Sequence, residues 1–215
     1  MVARFFTHVD TWVFDLDNTL YPPSADLFGR MDARFSAYVM RLTGLDQARA
    51  SRLCIDYWDS HGSTLAGLMD EYDIDPHDFL ADVHDIDISH LAPDPALSAA
   101  IGTLPGRRIV YTNGSENHAK RVLAARGLTR QFDAVYGVEH ADFKPKPTHD
   151  AFTRVFNKDG IVPTNAAMFE DEARNLAVPH ALGMRTVHVS ATPDQSDHVH
   201  HHTDDLAAFL SQLVR

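Results

Sequence analysis

A parallel α/β sheet covered by helices on both faces, with an all-helical domain inserted after its first strand, is the architecture this sequence predicts. Three observations predict it. The apolar run Thr11-Trp12-Val13-Phe14 reads as a buried strand that stops at Asp15 and Asp17, and Pro22-Pro23 then forbids a simple continuation of strand or helix. From Tyr21 to about Leu91 the apolar residues recur only at helical spacing. From Pro105-Gly106 onward, short apolar runs alternate with helical segments, the pattern of a parallel sheet buried on both faces.

In the inserted stretch, Leu27, Phe28, Met31, Phe35, Tyr38, Val39 and Leu42 mark a first helix, and Gly44 ends it as a C-terminal cap. Phe28, Met31 and Phe35 are expected as the buried stripe of this unit. A second helix through Leu53, Cys54, Tyr57 and Trp58 ends near His61-Gly62. A third runs from Thr64 to Tyr72, and a fourth opens at Pro76, a favourable first-turn residue. Pro93 and Pro95 mark the return to a different layout. There follow Ile109-Val110-Tyr111, a helix from Ser115 to Arg126 closed by Gly127, Ala134-Val135-Tyr136, and a helix from Thr148 to Phe156. Ala167-Met168-Phe169, a helix toward Gly183, Thr186-Val187-His188-Val189 and a last helix from Asp204 complete the chain. The expected division is a core over 1–20 and 92–215 that holds the sheet and a helical insertion over 21–91.

A chain of 215 residues suits one large domain or a domain with a smaller insertion, and its 44% hydrophobic share is ordinary for a globular protein. The net charge of −11 argues against a nucleic-acid polymer or an anionic membrane as partner, so a small anionic substrate needs a focused positive site. A single cysteine, Cys54, excludes an internal disulfide and fits a reducing compartment. No apolar run approaches the ~18 residues of a membrane span, and Arg4 to His8 is too short for a secretory signal. A cytoplasmic protein is expected; oligomeric state is open.

Open parallel sheets collect ligands at the carboxyl ends of their strands. Here those ends carry Asp15 and Asp17, then Thr112-Asn113-Gly114-Ser115, then Lys144 and Lys146, then Glu170-Asp171. Side chains on a strand alternate, so Asp15 and Asp17 leave the first strand on the same side. Two acids held that close call for a cation. Mg²⁺ reconciles them: Asp15, Asp171 and a backbone carbonyl near Asp17 supply oxygen ligands, while Glu170 and Asn175 hold its waters. Read alone, Glu170-Asp171 also suits a solvated turn or an acidic helix start. Asp15 is then suited to attack phosphorus, and Asp17 to protonate the leaving alkoxide and later take a proton from water. Thr112, with the amides of Asn113 and Gly114, offers neutral donors to a phosphate, and Lys146 or Lys144 offers the positive charge.

With these residues in view, the chain resembles the haloacid dehalogenase superfamily of phosphohydrolases. Its four motifs appear in order as Asp15 to Thr19, Thr112-Asn113, Lys146-Pro147, and Glu170-Asp171 with Asn175 and Gly183-Met184 downstream. The resemblance implies a Rossmann-like core, an Asp nucleophile, Mg²⁺ and a helical cap after the first strand. Its spacing from lysine to a helix phenylalanine, Phe152, selects Lys146. Glu170 departs from the Asp that many relatives carry, which implies a changed ion preference. A narrower resemblance, to pyrimidine 5′-nucleotidases, rests on Tyr21, the cap segment Tyr57 to Leu68, Val83 to Ile86 and Thr112 to Ala119. It implies hydrolysis of a nucleoside monophosphate such as UMP or CMP. Tyr21, Phe28, His61, Ser63 and Thr64 are the candidates to meet a base or ribose, and His118 is either a substrate contact or a helix-surface residue.

Rival readings are a phosphatase for a sugar phosphate or phosphoglycolate, a 2-haloacid dehalogenase, and a phospho-accepting signalling domain. Asp17 and Glu170-Asp171 count against dehalogenation, which needs no Mg²⁺, and a base at Asp17 counts against a stored acyl phosphate. The tract His198 to His202 resembles a metal-binding run or a tag; Thr203 to Leu206 and an amphipathic helix follow, which disfavours a tag, and a loop before a helix is expected.

Overall fold

The computed structural model of the protein describes residues 2–213. Six strands form one parallel sheet: β1 Thr11–Phe14, β2 Arg107–Tyr111, β3 Ala134–Tyr136, β4 Ala166–Glu170, β5 Arg185–Val189 and β6 His201–Thr203. Their order is β3-β2-β1-β4-β5-β6. The chain therefore builds outward from β1 to β3, then returns to β1 and builds the other way from β4. That reversal opens a crevice at the carboxyl ends of β1 and β4, where ligands of such sheets bind. Phe14 stands opposite Val110 on one side and Phe169 on the other, so Asp15 emerges between Tyr111 and Glu170.

Alternation along β1 feeds two cores. Trp12 and Phe14 face one side, where Phe14 stacks on Phe169 with centroids 4.7 Å apart, among residues of α5 Pro95–Gly102, α6 Glu116–Ala125 and α9 Leu206–Leu210. Val13 faces the other, with Ile109, Met168 and the buried stripe of α7 His149–Asp159. The helix expected toward Gly183 is a 3₁₀ turn, Ala173–Leu176, followed by the short α8 Ala177–Ala181.

Between β1 and α5 stand four helices, α1 Leu27–Thr43, α2 Gln47–His61, α3 Thr64–Glu71 and α4 Pro76–Val83. Side-chain oxygens of Asp46, Ser63 and Asp75 cap the last three, and Gly44 and Gly62 end the first two with φ of 74° and 83°. Their shared core holds Val39, Tyr57, Leu68, Phe79 and Val83. Gly67 admits the Tyr57 ring against α3, since a Cβ there would run into it.

Two expectations need correction. The buried face of α1 carries Leu27, Met31 and Val39, whereas Phe28 is 42% exposed and lines the crevice. The histidine tract is not all loop: His201–Thr203 pairs with β5, because its backbone completes the sheet edge although its side chains lack strand-like apolar alternation.

One buried side chain ties both ends of the helical insertion to the sheet domain. Arg126, just after α6, donates from Nε to the Leu20 carbonyl at 3.2 Å, from Nη1 to the Ala92 carbonyl at 2.6 Å and from Nη2 to Asp94 at 2.7 Å. A planar fork with separated donors is needed to reach all three. Arg126→Ala is predicted to cost about 2–3 kcal/mol by leaving the buried Leu20 carbonyl and two part-buried acceptors unmet, and Arg126→Lys to recover only part. Chemical denaturation of the three proteins measures this.

Candidate active site

Lys146 sits at the centre of the crevice, 1% exposed. Its ammonium donates to Asp15 Oδ1 at 2.7 Å, to Glu170 Oε2 at 2.6 Å and to the Tyr111 carbonyl at 3.1 Å. A buried ammonium is tolerable only with such compensation. The loop that carries it is pinned by Asn113, whose Oδ1 accepts from the Lys146 amide at 2.7 Å and whose Nδ2 donates to the Lys146 carbonyl at 3.1 Å. Lys144 instead lies at the surface, paired with Asp150.

Asp15, Glu170 and Asp171 each offer an oxygen within 4.8 Å of the others. Burial first and then Glu170 push the Asp15 carboxyl up to about 8, despite Lys146. Burial, then Asp15 and Glu170, push Asp171 up to about 9. Asp15 Oδ2 is buried without a hydrogen-bond partner. An all-oxygen donor set with an unmet buried oxygen fits a hard divalent cation such as Mg²⁺. Glu170 Oε1 accepts from Asn175 Nδ2 at 3.2 Å and the Glu172 amide at 3.3 Å, so both its oxygens are engaged. Its extra methylene lets it reach the lysine and the Asn175 side chain at once.

The Asp17 carboxylate faces away from this cluster. Tyr21, only 2% exposed, donates its hydroxyl to Asp17 Oδ1 at 2.6 Å, Thr112 Oγ1 lies 3.4 Å from Oδ2, and His118 Nε2 lies 3.6 Å from Oδ1. Burial opposes its charge, but His118 and Tyr21 outweigh burial and hold the carboxyl below its usual range. Tyr21 therefore braces Asp17 rather than lining the cavity. His118 is fully buried and stacks on His84 of the helical insertion, centroids 4.4 Å apart. Burial and His118 push the His84 ring down to about 3, so it stays neutral.

Thr112 is fully buried and its Oγ1 accepts from the Gly114 amide at 2.9 Å. The first amides of α6 are met internally, His118 by Ser115 Oγ at 3.2 Å and Glu116 by Glu139 at 2.8 Å. Thr64 lines the cavity. His61 lies outside its lining, beside Ser60 and Asp70.

Sequence reasoning missed several supporting contacts. Asn18, with φ 57°, donates to Asp171 Oδ2 at 3.2 Å. His188 Nε2 donates to the Asp171 carbonyl at 2.8 Å, and His198 Nε2 to the Ala173 carbonyl at 3.0 Å, so two histidines hold the acidic loop. Among the described residues the tract His198 to His202 gathers no metal-binding group. Above the carboxylates a cavity of about 380 Å³ separates these polar residues from an apolar wall that includes Phe28, Ile55, Trp58, Leu65 and Phe79.

A family profile described as haloacid dehalogenase-like hydrolase matches residues 9–183. The chain belongs to that family and is a hydrolase of its α/β fold. Among curated relatives, Phosphate metabolism protein 8 of Saccharomyces cerevisiae is 26% identical over 80% of this chain and 58% of its own length. Fructose-1-phosphate phosphatase YqaB of Escherichia coli is 29% identical over 56% of this chain and 66% of its own length. The chain thus spans between about half and two thirds of these relatives. The solved structure of the HAD-hydrolase YfnB from Bacillus subtilis, bound to magnesium, superposes with a TM-score of 0.62 at 14% identity, covering 95% of this chain and 98% of the other.

The raised pKa values of Asp15 and Asp171 set a pH dependence. In the metal-free protein both carboxyls hold protons that the unfolded chain releases near pH 4, so stability falls as pH rises from there toward 8 to 9. A divalent cation held by these carboxyls would compete with those protons and gain affinity as pH rises. Thermal unfolding with EDTA is predicted to show a lower midpoint at pH 8 than at pH 6, and added Mg²⁺ to raise the midpoint more at pH 8.

Proposed function

We propose that the protein is a Mg²⁺-dependent phosphomonoester hydrolase that works through an aspartyl-phosphate, and that its substrate is a pyrimidine nucleoside 5′-monophosphate. The observation that carries the chemistry is the division of the Asp15 carboxylate: Lys146 fixes Oδ1, and Oδ2 is left without a partner beside Asp171. Asp15, Asp171 and the Asp17 backbone carbonyl would hold the metal, which when bound offsets the charge of the acids and of the phosphate. The cytoplasm is its proposed location.

The chain's own groups account for the remaining roles. Asp15 attacks phosphorus while Lys146 keeps its carboxylate aimed and balanced. Asp17, ionised before substrate binds, takes up the proton that a phosphomonoester monoanion brings and passes it to the leaving ester oxygen, then removes one from the water that splits the acyl phosphate. Tyr21 and His118 fix Asp17 for both events. Thr112 and the Asn113 amide donate to the phosphate, and the Gly114 amide does so if released from Thr112. Of the expected contacts to base or ribose, Tyr21, Phe28, His61, Ser63 and Thr64, three line the cavity, Phe28, Ser63 and Thr64, and these are retained in that role.

Support for a nucleotide comes from the apolar cavity wall and from the branch resemblance at Tyr57 to Leu68 and Thr112 to Ala119. The relative named as a fructose-1-phosphate phosphatase makes a sugar phosphate the competing substrate. A phosphomonoester panel with and without Mg²⁺ separates them. UMP or CMP is expected to turn over best, with activity lost in EDTA; clear turnover of sugar phosphates without turnover of UMP or CMP overturns the nucleotide assignment. Asp15→Asn is expected to abolish turnover, and Asp17→Asn to reduce it by about 10²-fold or more and accumulate phosphoenzyme. Full activity in Asp17→Asn would remove its acid/base role.

A further inference from the structure

Arg174 is a half-buried cation of the cavity that the chemistry above does not use. It follows the acidic loop and lines the same cavity as Asp15 and Lys146. Its guanidinium lies over the indole of Trp58, with Cζ 3.3 Å from the ring centroid, and Nη1 approaches the Trp58 carbonyl at 3.4 Å. Its Nε is buried and donates to nothing. Among the described residues no carboxylate stands at ion-pair distance from it. A buried guanidinium donor left unmet is costly, and this one borders the space the leaving group must occupy.

The surroundings narrow what would meet it. Trp58, Phe28 and Ile55 line the cavity and remain 38%, 42% and 52% exposed, unusual for large apolar side chains unless something covers them. Asp32 and Glu172 also border the cavity and have no ion-pair partner among the described residues. They disfavour a second anionic group on the substrate. What remains is a neutral, flat group that covers apolar surface and presents a carbonyl acceptor. Stacked on Trp58, the guanidinium is held in a plane, so its edge donors are oriented before the ligand arrives.

We propose that Arg174, held flat on Trp58, is the specificity-determining residue that donates to a carbonyl of a neutral planar base on the leaving group. This rests on the nucleotide reading above and assigns the base subsite within it. The pairing spans the two halves of the molecule, since Trp58 belongs to α2 and Arg174 to the loop after β4.

The test uses uridine, which has the base but no phosphate, and ribose, which has neither. The chain has two tryptophans, and Trp12 is buried in the sheet core, so a change in tryptophan emission on titration reports on Trp58. Uridine is expected to change the emission of the Mg²⁺-loaded protein, and Arg174→Met to weaken its binding roughly tenfold or more, the size of a charge-assisted hydrogen bond lost from a buried site. Arg174→Lys, which keeps the charge but loses the planar fork, should also weaken it, and serves if Arg174→Met fails to fold. In turnover, the ratio of kcat/KM for UMP to that for ribose 5-phosphate should fall roughly tenfold in either variant. Uridine binding no tighter than ribose, an unchanged uridine affinity in both variants, or an equal loss for both substrates would overturn the proposal. If no phosphomonoester is hydrolysed but uridine binding depends on Arg174, the hydrolase reading fails and the subsite stands. If phosphomonoesters are hydrolysed and the variants leave the ratio unchanged, the subsite fails alone.

Discussion

The rest of the structure depends on the ammonium of Lys146 held between Asp15 and Glu170. None of these three charges is stable alone at such burial: the lysine loses its hydration and the acids repel each other. Together they are balanced, and the balance fixes geometry. It requires β1 and β4 in the register that puts Phe14 beside Phe169, so that Asp15 and Glu170 emerge side by side. It also requires the lysine loop to return across β2, which Asn113 secures by bonding the Lys146 backbone at both its amide and its carbonyl. One ammonium against the three carboxyl groups of Asp15, Glu170 and Asp171 leaves two acids in excess, which a cation under the proposed function would offset.

The sheet domain thus faces the helical insertion across one cavity. Besides Arg174 on Trp58, three contacts join them. Arg126 fastens Leu20 and Ala92, the two crossing points of the chain. Gly62 at the end of α2 lies against Pro145, close enough that an added Cβ would come 3.1 Å from its Cγ. His84, just after α4, stacks on His118, which in turn reaches Asp17. The helical insertion therefore reaches Asp17, the proposed acid/base group, as well as the cavity wall.

How much of this was legible in the sequence follows from the physics of each residue. Asp15, Asp17, Thr112, Glu170 and Asp171 were readable because strands of a parallel sheet end at one edge, so polar residues after apolar runs converge there, whereas that argument left Lys144 and Lys146 open and the family resemblance chose between them. The helices α1 to α4 were readable from periodicity and their glycine and proline ends. What was illegible depends on long-range bonds to backbone carbonyls, which leave no spacing signature: His188 on Asp171, His198 on Ala173, Arg126 on the hinge. α5 was missed because the proline that opens it read as a break. Tyr21 read as a substrate contact because sequence gives its position beside Asp17 but not the direction of its ring. Phe28 read as core because periodicity marks an apolar residue without saying that it faces a cavity.

The central claim is that Asp15 is the group to which the phosphoryl passes. Wild-type enzyme mixed with excess substrate and Mg²⁺, quenched during turnover and treated with borohydride, tests it most directly, since an acyl phosphate is reduced to an alcohol. Peptide mapping should then find homoserine at position 15 and unmodified Asp at 17 and 171. Homoserine at another acid, or turnover with no reduced residue anywhere under conditions that trap a stable acyl phosphate standard, would contradict the account.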